Sequence, residues 1–179
     1  MGLELDILNG IHSVSSPVMD SVMLSVTYAA TWSVLWFAIA FGMVLTRKYR
    51  RAGIVLIASV ILAYVVCDVL VKPAVGRVRP CGFADFELLV PVPDSYSFPS
   101  GHTMASFAAA TVLLLVFRRW GIPALVFAAA VGFSRMYLFV HWPTDVLAGA
   151  VLGTAVAVLV YWVSRRTGFM EKDGDPEVS

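Results

Sequence analysis

Long stretches without a charged residue dominate the chain. Residues 21–46 hold no charge, and the apolar stretches that follow are interrupted only by single charges such as Asp68 and Arg135. A helix needs about 20 apolar residues to cross a bilayer, and only helices or closed barrels satisfy all backbone hydrogen bonds in lipid. Because the stretches show no strict alternation, they favour helices. The pattern predicts an all-α, polytopic membrane bundle with about five transmembrane helices, at approximately 21–45, 53–71, 101–117, 121–140 and 144–164.

The two ends of the chain have a different pattern. Residues 1–20 mix apolar residues with Glu4, Asp6 and other polar side chains, so this segment is too polar to span the bilayer. It is predicted to lie along the interface as an amphipathic helix, with a flexible terminus as the alternative. We expect no cleaved signal peptide, because no basic region precedes an apolar core. Residues 167–179 are rich in acidic residues, with Gly and Pro, and are predicted to form a disordered cytoplasmic tail.

Composition supports a membrane protein. Hydrophobic residues make up 59% of the chain, charged residues only 14%, and the mean hydropathy is +0.83, whereas a soluble domain needs more charge to cover its surface. The two cysteines, Cys67 and Cys81, form no CxxC pattern, so we expect two unpaired thiols and no metal site built on them.

The basic residues predict the orientation. Most of them lie at alternate ends of the predicted spans: Arg47, Lys48, Arg50, Arg51, Arg118, Arg119, Arg165 and Arg166. Short basic loops stay in the cytoplasm, so the C-terminus is expected inside, and residues 72–100 and 141–144 are expected outside. Apart from Lys172, the other basic residues, Lys72, Arg77, Arg79 and Arg135, then fall on the outer side. Charges at membrane depth are costly and usually functional, so this cluster indicates an anionic ligand.

Three of these cations are candidates for binding phosphate. Arg79 and Arg135 each offer a planar fork of donors to phosphate oxygens, and Lys72 offers a compact charge. Such a set can stabilise a phosphoryl group in a transition state, although interfacial snorkelling is an alternative, above all for Lys72. Asp68, four residues before Lys72 on a predicted helix, is expected to orient it. Arg77 has no assigned role and is expected to contact lipid headgroups.

The segment Pro99–His102 has the features of a helix start. Ser100 is a favourable N-cap, and Gly101 permits close approach of the backbone to another group. The first N–H groups of a helix form an anion-binding site, and His102 in the first turn could donate a proton. A plain N-cap beside an incidental histidine is the alternative.

His141 and Asp145 form the most informative pair. Pro143 suits the first position of a new helix, which places Asp145 in its first turn and His141 just before it. A carboxylate at this spacing can accept the Nδ1–H of the imidazole and leave Nε2 free to attack phosphorus. A histidine satisfied by a helix-capping aspartate is the alternative.

The three segments together resemble the signature of the PAP2 family, the type 2 phosphatidic acid phosphatases. Its pattern, KxxxxxxRP, PSGH and SRxxxxxHxxxD, is matched at every fixed position, and the span layout extends the likeness over a transmembrane domain at 21–166. Many membrane members carry one more span before the first motif, where this chain has residues 1–20.

The resemblance implies a role for each matching residue. His141 would be the nucleophile that forms a phosphohistidine, Asp145 would orient it, and His102 would be the general acid. The phosphate would be held by Lys72, Arg79, Ser100, the Gly101 amide and Arg135. No metal or other cofactor is implied, and the segments contain too few carboxylates for a two-metal site.

Several functions fit these observations. The first is hydrolysis of a lipid phosphate or diphosphate: a polyprenyl diphosphate such as undecaprenyl diphosphate, phosphatidylglycerol phosphate or phosphatidic acid. The second is transfer of the phosphoryl group to a lipid or sugar hydroxyl. A transporter should place polar residues near the midplane of its spans, whereas these ionisable residues gather at one end. A soluble haloperoxidase shares the signature but not the hydrophobic composition. We expect a lipid substrate in the bilayer and no nucleic-acid partner.

Overall fold

The computed structural model describes residues 2–170, and all regular secondary structure among these residues is helical. The all-α class predicted from the sequence is confirmed. The α-helices, in chain order, are α1 (Gly2–His12), α2 (Pro17–Ala30), α3 (Val34–Leu45), α4 (Arg50–Tyr64), α5 (Lys72–Val75), α6 (Gly101–Val116), α7 (Arg118–Tyr137) and α8 (Pro143–Arg166).

Three helical segments of the described chain are long and apolar enough to cross a membrane: Pro17–Leu45, Arg47–Val75 and Pro143–Arg166. Helix α6 is apolar but shorter. The membrane class agrees with the sequence prediction, and the count of five spans stays a prediction.

The first predicted span is not one continuous helix. A 3-10 turn, Thr31–Ser33, separates α2 from α3, and both Trp32 and Ser33 have positive φ angles, of 53° and 56°. Helix α2 begins at Pro17, with the Ser16 hydroxyl accepting a hydrogen bond from the backbone of Met19. The uncharged stretch 21–46 gave no sign of this break, because no Gly or Pro marks it.

The second predicted span continues past its expected end. Helix α4 passes into a π-helical segment, Val65–Val71, and then into α5. The π-helical segment carries Asp68 and leads directly to Lys72. Single π-turns within helices are rare and often occur at functional sites. Here the segment sets the positions of two of the predicted site residues.

Helix α6 lies at the centre of the bundle and packs against α4, α7 and α8. Its contact face is built from small buried residues, including Ala105, Ala108 and Ala109. Glycines on α8 allow an equally close approach from the other side. A Cβ placed on Gly149 would lie 2.8 Å from the carbonyl oxygen of Ser100, and one on Gly153 would lie 2.2 Å from that of Met104. The start of α8 is thereby held against the start of α6.

Residues at the N-terminal end form helix α1, and one face of it packs on the protein. Leu8 is fully buried in a cluster with Phe139 and Trp142, and the ring of His12 stacks on Phe86 at 3.6 Å. Gly2–His12 are helical, and the location of this helix at the membrane interface stays a prediction.

The predicted disordered tail begins too early at residue 167. Residues 167–170 form a turn in which the carbonyl oxygen of Phe169 accepts a hydrogen bond of 2.6 Å from Arg51. The rest of the predicted tail, 171–179, lies outside the described residues.

We predict that Gly153→Val lowers the melting temperature of the detergent-solubilised protein. The added side chain would overlap the backbone of α6, and overpacking of this kind costs about 1–3 kcal/mol. Gly42→Ala is the matched control, since a Cβ there meets nothing within 4 Å. Equal melting temperatures for the two variants would show that the α6–α8 contact is not tightly packed.

Candidate functional site

A cavity of about 330 Å³ opens where the ends of several helices meet. Seven residues singled out in the sequence line it: Asp68, Lys72, Arg79, Gly101, His102, Arg135 and His141. Two others, Ser100 and Asp145, are fully buried behind the wall. The structure thus brings the three sequence segments to one place.

The end of the second helical segment supplies Lys72. Its Nζ lies 2.5 Å from Asp68 Oδ1 and 3.4 Å from the hydroxyl of Ser95. The Lys72 side chain is buried, and the pairing with Asp68 is the one expected from the spacing of four residues. A buried ammonium held by one carboxylate still has a donor available for an anion in the cavity.

The protein holds Arg79 through hydrogen bonds from Nε and from both Nη atoms. Nε donates to the carbonyl of Ser95, and Nη2 donates to the Ser95 hydroxyl and the carbonyl of Tyr96. Nη1 donates to the carbonyl of Val140 and lies 3.1 Å from Nε2 of His141. The guanidinium therefore fixes the loop around residue 95 and the position of the imidazole. Arg79 and His141 both line the cavity.

Arg135 occupies the end of α7 and is buried. Its Nη1 donates to the hydroxyl of Thr27 on α2 at 2.5 Å, while its Nε is buried with no hydrogen-bond partner among the described residues. A buried donor without a partner costs about 1–3 kcal/mol and calls for an explanation. An acceptor in the cavity would satisfy it.

The start of α6 forms another wall. Ser100 is the N-cap, as predicted: its hydroxyl accepts hydrogen bonds from the backbone and the hydroxyl of Thr103. A Cβ on Gly101 would lie 3.3 Å from Asp68 Oδ2 and 3.7 Å from Lys72 Nζ, so the absence of a side chain lets this backbone approach the ion pair. His102 follows in the first turn, and its Nε2 lies 3.5 Å from Thr31 Oγ1.

His141 and Asp145 lie beside each other at the start of α8. Nδ1 of His141 is 3.5 Å from Asp145 Oδ2, and this Nδ1 has no hydrogen-bond partner among the described residues. The predicted hydrogen bond is therefore long. Such contacts are often long in a free enzyme and shorten when a substrate binds. His141 lines the cavity, and its Nε2 lies 3.1 Å from Arg79 Nη1, so an anion bound by Arg79 would lie near Nε2.

The charge of the cavity favours an anion. Three cations and one carboxylate line it, which gives a net formal charge of +2 with both histidines neutral. Burial lowers the pKa of the Arg79 guanidinium below its ordinary value, and nearby Cys81, Asp145 and Asp68 oppose that shift. Among residues 2–170, no group of three or more His, Cys, Asp or Glu side chains is arranged to hold a metal.

Some site residues gave no distinct signal in the sequence. Ser97 donates to Asp145 Oδ2 at 2.5 Å, and Ser95 contacts both Lys72 and Arg79. Both serines lie in the long loop before α6, where a serine is an ordinary residue. Arg77 was noticed as part of the outer cation cluster with no role assigned to it, and it binds the carboxylate of Asp145 at 2.5 Å.

Known proteins resemble this chain in sequence and in structure. An undecaprenyl-diphosphatase of Sulfolobus acidocaldarius is 37% identical over 119 residues, which are 65% of this chain and 57% of that protein. The undecaprenyl-diphosphatase BcrC of Bacillus subtilis is 30% identical over 165 residues, covering 89% of this chain and 83% of that one.

Solved structures of membrane phosphatases are also similar to this chain. The phosphatidylglycerolphosphate phosphatase of Bacillus subtilis, described as a transmembrane PAP2 type, superposes with a TM-score of 0.76 at 28% identity, over 92% of this chain and 86% of that chain. LpxE of Aquifex aeolicus superposes with a TM-score of 0.78, also at 28% identity, over 89% of this chain and 95% of that chain. The model of the PAP2 superfamily matches residues 52–169, which include all three motifs. This chain therefore belongs to the PAP2 superfamily of phosphatases.

Proposed function

We propose that this protein is a membrane phosphatase that hydrolyses a lipid phosphate or diphosphate through a phosphohistidine formed at His141. The observation that carries the proposal is the cavity with a net charge of +2, which is lined by His141 and by Arg135, whose Nε is buried without a partner among the described residues. Preorganised cations around a nucleophile are what phosphoryl transfer requires.

The first half of the reaction forms a phosphorus–nitrogen bond. Nε2 of His141 attacks the phosphorus while the bond to the leaving oxygen breaks, and His102, which takes up a proton when the anionic phosphate binds, gives that proton to the leaving oxygen. The imidazole gains a positive charge, which Asp145 stabilises through Nδ1–H. Arg79 Nη1, 3.1 Å from Nε2, is placed to bind a phosphoryl oxygen at the attacked phosphorus. Lys72 and Arg135 would hold the other oxygens, with the Gly101 amide at the helix start.

The second half of the reaction releases phosphate. A water attacks the phosphorus, the phosphorus–nitrogen bond breaks, and His102, now unprotonated, accepts a proton from the water. The imidazole of His141 returns to its neutral form. A lipid or sugar hydroxyl in place of the water would make the enzyme a transferase.

A polyprenyl diphosphate is the substrate we favour. The support is that the Sulfolobus and Bacillus relatives are named undecaprenyl-diphosphatases. Other similar proteins are named for lipid A or phosphatidylglycerol phosphate, so the shared feature is a phosphate on a lipid. The cavity is also bordered by exposed apolar residues such as Trp32 and Tyr64, which suit a tail that stays in the bilayer.

We also propose that the site faces the outer side of the membrane and that α8 ends in the cytoplasm. The arginine clusters lie at the start of α4, at the junction of α6 and α7 and at the end of α8. The catalytic residues lie at the opposite ends of these helices. This alternation is expected if the chain crosses the bilayer five times.

Replacing the nucleophile should abolish activity. We predict that His141→Ala lowers the rate of phosphate release on the order of 10⁴-fold or more, because the nitrogen that bonds to phosphorus is removed. Arg47→Gln, at an exposed arginine at the other end of the bundle, should retain activity. A folded His141→Ala protein with normal turnover would disprove the assignment.

Removal of metal ions should have no effect. We predict full phosphatase activity in the presence of a chelator, and inhibition by vanadate, which adopts the geometry of a phosphoryl transition state. Phosphate release measured with and without each reagent checks both. Loss of activity in chelator, restored by added magnesium, would contradict a mechanism based on residues alone.

A panel of lipids should identify the substrate class. We predict the highest kcat/KM for undecaprenyl diphosphate, compared with phosphatidylglycerol phosphate and phosphatidic acid in the same detergent. Each assay is run with and without a lipid-alcohol acceptor, since an acceptor that consumes the phosphoryl group without release of phosphate would indicate a transferase. Activity on none of the lipids would overturn the proposed function.

A further inference from the structure

Arg77 connects the catalytic aspartate to the N-terminal helix. Its Nη1 donates to Asp145 Oδ1 at 2.5 Å and to the hydroxyl of Thr144 at 2.6 Å, while its Nη2 pairs with Glu4 Oε2 at 2.6 Å. The guanidinium also lies over the ring of Trp142, 5.3 Å from its centroid. One side chain thus joins α1 to the loop before α8 and to α8 itself.

The contacts of Asp145 show what Arg77 contributes. Oδ2 accepts hydrogen bonds from the Ser97 hydroxyl and the backbone of Trp142, and it faces Nδ1 of His141. Oδ1 is bound by Arg77. Because Asp145 is fully buried, its charge needs partners on both oxygens. Arg77 therefore fixes the plane of the carboxylate and, with it, the oxygen presented to the imidazole.

Glu4 holds Arg77 and the start of α8 at the same time. Its Oε1 accepts hydrogen bonds from the backbone and the hydroxyl of Thr144, at 3.2 and 2.7 Å. An acidic group at this position also suits the positive end of α8. The pKa of Glu4 is lowered: burial opposes ionisation, and the hydrogen bonds from Thr144 and Arg77 outweigh it. Glu4 is therefore ionised at neutral pH.

The packing of α1 makes this contact persistent. Leu8, one turn beyond Glu4, is fully buried against Phe139 and Trp142, the residues that flank His141 in the loop before α8. The apolar contact and the ion pair act at two points on one helix. Helix α1 is thereby held against the loop that carries the nucleophile.

We propose that Glu4 and Arg77 form a latch by which helix α1 positions Asp145 against His141. Arg77 is then a positioning residue for the reaction, and α1 is a structural part of the active site. This inference rests on the proposed function, because it assigns a consequence for catalysis to the latch. Direct binding of the substrate by Arg77 is the competing explanation, but Arg77 does not line the cavity with Lys72, Arg79 and Arg135.

Kinetics separate positioning from substrate binding. A positioning role predicts that Arg77→Gln lowers kcat about 10- to 100-fold, the scale of misplacing a catalytic group, with KM changed less than about twofold. Arg77→Lys should recover part of kcat, because the ammonium can keep the charge beside Asp145. Arg47→Gln, at an exposed arginine at the other end of the bundle, should behave as wild type. A raised KM with normal kcat, or no change in either, would overturn the proposal.

Hydrogen exchange tests the latch without using activity. In Arg77→Gln and in Glu4→Gln, amides of α1 should exchange about tenfold faster or more, since each change removes a charged hydrogen bond that anchors the helix. Glu87→Gln, at an exposed acidic residue of the outer loop, is the matched control and should leave α1 unchanged. Unchanged exchange of α1 in both test variants would refute the latch. A wild-type protein without phosphatase activity would instead refute the proposed function, and the exchange measurement would still decide whether the latch exists.

Discussion

A carboxylate in an apolar interior stays charged only if the protein surrounds it with donors, and Asp145 meets this requirement with donors from the long loop before α6 and from the start of α8. Arg77 and Ser97 donate to the carboxylate from the long loop, and the backbone of Trp142 donates to it from the start of α8. The backbone carbonyl of Asp145 in turn accepts a hydrogen bond from the backbone of Ser100. These contacts fix the relative positions of the three motif segments. The helix starts, the loop and the imidazole are thus organised around one buried charge.

The cavity next to this charge has the opposite electrostatic character. Lys72, Arg79 and Arg135 are all buried, in a protein whose neighbouring surfaces are apolar. Their cost is reduced by partners within the protein: Asp68 for Lys72, backbone carbonyls for Arg79 and Thr27 for Arg135. What remains is an excess of positive charge in a site bordered by exposed apolar residues. This arrangement suits a phosphate that enters on a membrane-anchored molecule.

The residue types and spacings were sufficient to predict the motif residues and the all-α class. The spacing of four residues predicted the ion pair of Asp68 and Lys72, and the preference of serine for the N-cap position predicted the start of α6 at Ser100. Tertiary contacts could not be predicted in the same way. The break at Thr31–Ser33 has no Gly or Pro to mark it. The hydrogen-bond acceptors of Arg79 lie partly in the loop around Ser95, whose sequence has no periodic pattern from which its course could be predicted. Arg77 was visible as an unexplained outer cation, but its partner lies 68 residues away in the chain.

A structure determined with bound vanadate tests the central claim most directly. The account predicts vanadium bonded to Nε2 of His141, its oxygens contacted by Lys72, Arg79 and Arg135, and Nδ1 drawn closer to Asp145 Oδ2 than the present 3.5 Å. Vanadate bound elsewhere, or bound in the cavity with no bond to that nitrogen, would contradict it.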